Sequence, residues 1–396
     1  MAAELTAVDV DPSAMPGSDP TLPELPPSGA MGPREVRGLP HLFGMRPPDL
    51  VEHARRHGVA LRDDESRRYL AQHLSYLPGT RPPTRRPIAR ATIAALEATL
   101  AFDRLELVER VTDPSDGFVK YLFRSPDGAL TEAVRIPLHA PGRFTVCLSS
   151  QVGCAMGCTF CATGRLGLTR NLATWEMVDA LLQVRDEAPG RVSGVVFQGQ
   201  GEPFHNYDAV IRAGEVLSDP CGGRISADAI TISTVGLVAQ IRRFAREGHR
   251  FRLIVSLTSA LAEKRRTLLP VAGRFALADV ASAIREYAEV AKGRITIAWV
   301  VMGGVNTGAD EVDALRELLG DLRLRVNLID VNDSRVDGFK RAEPAELKAF
   351  LNRLGALGVP LVRRYSGGSA RHAACGMLAA THWNETASTP TSEPPT

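Results

Sequence analysis

The 396-residue chain predicts an α/β protein: a partial (β/α)6 TIM-like barrel preceded by a small N-terminal helical accessory domain. Three observations lead there. First, β-branched runs (RVSGVVF, AITIST, RLIVSL, RITIAWVV, LRVNLID, VPLVRR) alternate with amphipathic stretches such as NYDAVIRAGEVLSD and PAELKAFLNRLGALG. That alternation makes parallel strands joined by crossover helices. Second, glycine-rich and polar blocks fall at the strand ends, where such scaffolds carry their functional groups. Third, the loop CAMGCTFC opens the series, and a strand before or at it brings the total to about six βα units.

Taken in order, residues 1–30 are rich in Pro, Gly and Ser and acidic, and cannot bury enough surface to offset the ordering of their backbone. They are expected to be disordered, as is the tail 383–396. Residues 31–104 predict the helical accessory domain. PPDLVEHARRHG takes Asp49 as a cap and stops at Gly58; DDESRRYLAQHLSYLPG and IARATIAALEATLAF follow. Arg55, Arg56, Arg67, Arg68, Arg81, Arg85, Arg86 and Arg90 lie along this unit. They read either as a clamp on an RNA backbone or as a solvated arginine-rich face. Over 105–145 the period shortens, with turns at Asp116–Gly117 and Asp127–Gly128, and a β-hairpin or short meander leads into the barrel at 146–382.

Composition sets limits on function. The chain is 44% apolar, 23% charged and carries a net charge of +2, so no global polycation announces a nucleic-acid partner. There is no basic n-region ahead of an apolar core at the start, and no apolar run long enough for a membrane span. Six cysteines in a chain this long do not form a disulfide framework, and a metal-bound thiol set suits a reducing cytoplasm.

Cys154, Cys158 and Cys161, at spacing C-x3-C-x2-C, match no paired four-ligand zinc pattern. Soft thiolates favour zinc or iron–sulfur centres. With no fourth Cys or His close by, three thiolates on a four-iron cubane leave one iron open to a ligand. A ruptured zinc knuckle or three core cysteines is the alternative. Gly153, Gly157 and Gly164 suit a loop wrapped tightly on a ligand better than a packed helix.

The C-x3-C-x2-C with Phe160 before its last cysteine resembles the radical S-adenosylmethionine superfamily. SSQVGC and CTFCATGRLGLTRNL resemble, more narrowly, the bacterial dual-specificity adenosine C2-methyltransferases of 23S rRNA and tRNA and their C8-methylating relatives. The likeness runs from about Asp127 to Leu378. It implies one [4Fe–4S] cluster on Cys154, Cys158 and Cys161, with S-adenosyl-L-methionine chelated at the open iron. Cofactor contacts are implied at Gly201 and Glu202 of G-Q-G-E-P, Ser233, the Ser256–Leu257–Thr258 block, and Asn327 of NLID. The same likeness implies catalytic roles for three further residues. Cys375 of AACG would carry the methyl group, because an adenine C2–H is not nucleophilic and direct polar transfer would fail. Glu132 of TEAVRIP would take the proton from the methylated carbon. Cys147 would then release product by forming a transient disulfide with Cys375. Cys221 is left as a bystander. A flavodoxin or ferredoxin type of electron donor, RNA as partner and a cytoplasmic location complete the implied picture.

Departures from the family pattern cluster on the substrate side. Phe197, Gln198 and Gln200 stand where relatives have methionines, and Thr258 replaces a histidine. Ala298, Gly303 and Thr307 replace acids, and Gly367–Gly368–Ser369–Ala370–Arg371 replaces an R-G-x-D-I block. Three other readings therefore stay open: the same two-cysteine methylation of a small molecule or peptide, a radical enzyme that transfers no methyl group, and a non-enzymatic iron–sulfur or RNA-binding protein.

Overall fold

The computed structural model describes residues 38–76, 86–114, 116–291, 293–332, 335 and 338–364. Three helices come first: α1 (Pro47–Arg56), α2 (Asp63–Leu74) and α3 (Arg90–Glu97). α1 starts two residues earlier than Asp49, at a proline pair that suits a first turn. Asp49 still serves the helix start, since its carboxylate accepts the Arg46 N–H at 2.8 Å.

β1 (Glu106–Thr112), β2 (Val119–Arg124), β3 (Leu130–Pro137) and β4 (Arg143–Leu148) form an antiparallel meander. Both expected turns are present. The Asp116 carboxylate accepts the Phe118 N–H, and that of Asp127 accepts the Ala129 N–H, an Asx-type closure. A third turn, closed by the Arg143 N–H donating to the Ala140 carbonyl at 3.2 Å, has Pro141–Gly142 at its centre with Gly142 at φ 68°.

β4 also pairs in parallel with β7 (Arg191–Phe197), so the meander and the barrel share one sheet. Parallel pairing then continues through β8 (Ile230–Thr234), β9 (Arg252–Ser256), β10 (Ile295–Val301), β11 (Leu324–Asp330) and β12 (Leu361–Arg364). The crossover helices are α5 (Thr174–Glu187), α6 (Tyr207–Ser218), α7 (Val238–Glu247), α9 (Leu277–Val290), α10 (Ala309–Leu319) and α11 (Pro344–Ala356). Short α4 (Ala162–Arg165) and α8 (Ala262–Leu268) lie in strand-end loops. Among the described residues this makes six βα units and a seventh parallel strand, as the alternating pattern predicts. A separate ribbon of β5 (Gln151–Gly153) and β6 (Leu168–Asn171) closes the neck of the cysteine loop.

The outer face of the sheet and the helices form one continuous core that includes Leu42, Leu50, Tyr69, Leu70, Leu74 and Leu96 of the N-terminal helical unit. Polar contacts reinforce this docking. His41 stacks on Trp175, Arg212 pairs with Asp49, and the buried Asp179 accepts the Leu105 N–H at 2.8 Å. Within that unit Arg55 and Arg56 both pair with Glu52, Arg67 with Asp63 and Arg68 with Asp64. These exposed i,i+3 and i,i+4 pairs neutralise the helix face locally and favour the solvated-face reading over a clamp. Arg81 and Arg85 lie outside the described residues. Also among the described residues, no helix is long and apolar enough to cross a membrane.

Candidate active site

β5 and β6 bring the two ends of the cysteine loop together. The Cys154 N–H donates to the Gly167 carbonyl at 2.7 Å. Gly153 sits at φ +76°, and a Cβ there would lie 2.0 Å from that same carbonyl oxygen, so only glycine fits the neck. The far side of the loop is held by the Thr159 N–H, which donates to Leu268 O at 3.1 Å. Burial pushes the Cys154 and Cys158 thiols well up, and the neighbouring Cys161 adds to the effect.

The three cysteines share a cavity of about 190 Å³ with the ends of the parallel strands. Gln198, Gln200, Gly201 and Glu202 follow β7, Ser233 and Thr234 end β8, and Ser256 and Thr258 end β9. Gly201 has φ +99°, and a Cβ on it would meet Gln151 at 2.6 Å. Gln200 and Thr258 adopt left-handed backbone at φ 47° and 63°, which non-glycine residues hold only when their surroundings enforce it.

The enforcing contacts are visible. The Asn306 amide donates to Thr258 O at 2.7 Å and to Val300 O at 2.8 Å, while its oxygen accepts the Met302 N–H. Glu311, fully buried, accepts from the Ser259 hydroxyl and the Ala260 N–H. Arg265, 2% exposed, donates to Val235 O and Leu257 O, and burial brings its pKa down to about 10.

Glu202 is already engaged. One carboxylate oxygen accepts the Phe204 N–H at 2.9 Å and the other the Val235 N–H at 2.8 Å. Burial raises its pKa to about 7, with the bonds from Val235, Thr234 and Phe204 opposing that rise. By contrast, Gln200 Oε1 and Thr258 Oγ1 are buried in the cavity lining with no partner, at 4% and 0% residue exposure. Buried acceptors left unmet are costly. These two therefore mark a wall shaped for a polar ligand beside three thiols, which fits a thiolate-bound cluster with a polar small molecule on it.

Ser233 and Ser256 have their hydroxyls 3.4 Å apart on the same wall. Leu257 is not part of the cavity lining: its side chain lies in the core, its N–H donates to Ala298 O and its carbonyl accepts from Arg265. Asn327 is buried two residues before Ile329 on β11, below the cavity lining. Cys147 and Glu132 are buried on the lumenal face: Cys147 is level with Val196, two residues below Gln198, whereas Glu132, opposite Ser149 on antiparallel β3, is level with Gln198 itself. Cys147 is packed with Val134 and Val196, and Glu132 is two residues from Val134 on β3. Cys375 and the 367–371 block lie outside the described residues. Where acids are missing at positions 303 and 307, Glu346 of α11 accepts from Gly304 N and Thr307 Oγ1.

Arg265, Asn306 and Glu311 escaped the sequence reading. Each looks like an ordinary helix or loop polar residue, and only the tertiary structure buries it against a strand end.

A cysteine loop at the mouth of a partial parallel barrel, over a cavity built from strand ends, defines a radical S-adenosylmethionine enzyme. The Radical SAM superfamily model matches residues 148–319. The chain is 47% identical to a probable RNA methyltransferase of Anaeromyxobacter sp. (strain Fw109-5), over 85% of this chain and 98% of that protein. It is 38% identical to a dual-specificity RNA methyltransferase RlmN of Pelobacter propionicus, over 74% and 82% respectively. A crystal structure of a radical SAM methyltransferase from Sphaerobacter thermophilus superposes with TM-score 0.76 at 34% identity, covering 86% of this chain and 99% of that one. The chain belongs to the radical SAM RNA methyltransferase family. It is a methyltransferase that uses a [4Fe–4S] cluster and S-adenosylmethionine.

Proposed function

We propose that the protein methylates an sp2 carbon of adenine in RNA, with C2 of adenosine in 23S rRNA and tRNA as the target and C8 as the alternative position. The observation that carries this reading is the joint presence of a three-thiol cavity and, on the lumenal face beside it, a further buried cysteine and carboxylate, Cys147 and Glu132. A radical enzyme that transfers no methyl group needs no such pair. The RNA substrate is carried over from the activity named for the relatives.

In this reading Cys154, Cys158 and Cys161 hold the cluster. Gly201 lets the backbone approach the cofactor, Glu202 sets the turn that presents it, and Ser233, Ser256 and Thr258 supply contacts from neighbouring strand ends. Asn327 contacts the cofactor from below. When bound, the cluster and cofactor supply both the methyl group and the one-electron chemistry. Cys375 carries the methyl group, Glu132 takes the proton lost from the purine carbon, and Cys147 frees the product by forming a disulfide with Cys375. Reaching a base within structured RNA requires extruding it into the barrel. The electron comes from a flavodoxin- or ferredoxin-type donor in the cytoplasm, and the open iron makes the enzyme oxygen-sensitive.

The test is anaerobic turnover of the reconstituted enzyme with unmodified rRNA fragments and tRNA transcripts, followed by nucleoside analysis. Methylated adenosine in RNA is expected. Cofactor cleavage without any methylated nucleoside would favour a small molecule or peptide as substrate.

A further inference from the structure

About half of the arginines described in the structure are held by a carboxylate. Arg250 pairs with Asp228, Arg285 with Asp321 and Arg242 with Glu286. Arg252, Arg294, Arg323 and Arg325 are among those that are not, and they lie at three adjoining strands. All four are exposed, and among the described residues none has an ion-pair partner; Arg294 donates only to the Leu324 carbonyl at 3.4 Å.

Their placement follows from strand register. Arg252 opens β9, and Arg294 and Arg323 immediately precede β10 and β11, whose first residues Ile295 and Leu324 pair. Thr296 pairs with Ile254 on one side and Arg325 on the other, which puts Arg294 beside Arg252 by the same register. Strand side chains alternate, so Arg252 shares a face with Ser256, Arg294 with Val300 and Arg325 with Ile329, all three of which line the thiol cavity. The four guanidiniums thus belong to the lumenal face, about 13 Å (Arg252, Arg325) to about 20 Å (Arg294, Arg323) below the cavity lining at about 3.3 Å per residue. One continuous ladder row, Val134–Cys147–Val196–Thr231–Arg252, connects the lumenal cysteine to the first of them.

Like charges on adjacent strands repel. A row of them without counter-charges therefore implies an anionic occupant. We infer that Arg252, Arg294 and Arg323, with Arg325 one step above, form a seat for the phosphodiester backbone flanking the extruded nucleotide. Charge complementarity favours this occupant. Guanidiniums match phosphate oxygens geometrically, and backbone contacts hold register without reading sequence. The row runs along the same wall as Cys147, where the target base must arrive. The inference rests on the RNA-substrate reading above.

The test uses the full-length holoenzyme and an unmodified tRNA transcript, with affinity measured by anisotropy over a series of KCl concentrations. The triple variant R252Q/R294Q/R323Q is compared with wild type and with R252K/R294K/R323K. Binding of S-adenosylhomocysteine and the far-UV circular dichroism spectrum serve as controls, since none of the three residues touches the cofactor cavity. The glutamine variant should bind RNA at least about tenfold more weakly, and its log–log salt slope should fall by about 2, at about 0.7 per lost contact to a single strand. The lysine variant should restore most of that slope. An unchanged slope in a glutamine variant that still binds S-adenosylhomocysteine overturns the seat while leaving the RNA reading intact. Tighter RNA binding by the glutamine variant would instead identify the acidic first 30 residues as the occupant and also overturn it. Absence of RNA binding by wild type removes both readings.

Discussion

Glu202 and Val235 tie two strand ends together: the carboxylate leaving β7 accepts the backbone N–H that follows β8 at 2.8 Å. Its other oxygen takes the Phe204 N–H. The glutamate that motif reasoning assigns to the cofactor is thus also a buried staple of the cavity wall. It holds the turn after β7 to the residue that follows β8.

This double role has a pH signature. Burial raises the Glu202 pKa from 4.5 to about 7. Between those values the folded state holds a proton that the unfolded state has lost, so stability falls as pH rises through the window and levels off above about 7. The span is on the order of 3 kcal/mol at most. Glu202→Gln should be destabilised by about 1–3 kcal/mol, because its amide cannot accept both N–H groups. It should also lose this component of the pH dependence. Denaturant unfolding of both proteins at pH 5, 6, 7 and 8 checks it; parallel pH profiles would contradict the burial-raised pKa, and equal stability at pH 8 would contradict the staple.

Asn306 makes a second prediction. Three hydrogen bonds of its side chain hold the loop on which Thr258 is kept at φ 63°. Asn306→Ala leaves two carbonyls and one N–H unmet in a buried region and should cost about 2–4 kcal/mol. Because Thr258 lines the cavity, S-adenosylhomocysteine binding should weaken even at temperatures where the variant is fully folded. Calorimetric titration separates the two effects, and unchanged affinity would show that the loop is held by Glu311 alone.

Much of this was legible in the chain. The β-branched runs gave the parallel strands, and the spacing of Cys154, Cys158 and Cys161 gave the loop that faces them. Other features were hidden for physical reasons. Alternating strand patterns look alike in antiparallel and parallel pairing, so the double role of β4 did not show. Left-handed backbone at Gln200 and Thr258 carries no residue-type signal, since glycine is its usual mark. The burial of Arg265 beside a strand end is a tertiary fact, and a charged residue in a short helix reads as solvated. The reverse holds for Arg55, Arg56, Arg67 and Arg68, whose i,i+3 and i,i+4 acids stand in the sequence and support the solvated-face alternative.

The thiol cavity leads to a third prediction. Replacement of Cys154, Cys158 or Cys161 by Ala removes one of the three thiols proposed to hold the cluster, and each variant should lose the brown iron–sulfur absorption and most bound iron after anaerobic reconstitution. Iron and sulfide analysis of the wild type should give four of each per chain. Full iron retention by all three variants would contradict the ligand assignment.

The central claim is that a methyl group passes to RNA through Cys375 and is released with the help of Cys147. Intact-mass analysis of Cys375→Ala and Cys147→Ala, purified from cells together with any attached nucleic acid, tests it most directly. The account predicts that Cys375→Ala carries neither a methyl group nor RNA. Cys147→Ala should carry a covalent RNA adduct on Cys375 whose nuclease digest contains a substituted adenosine. A methyl group mapping to another residue, or full turnover by Cys375→Ala, would contradict it.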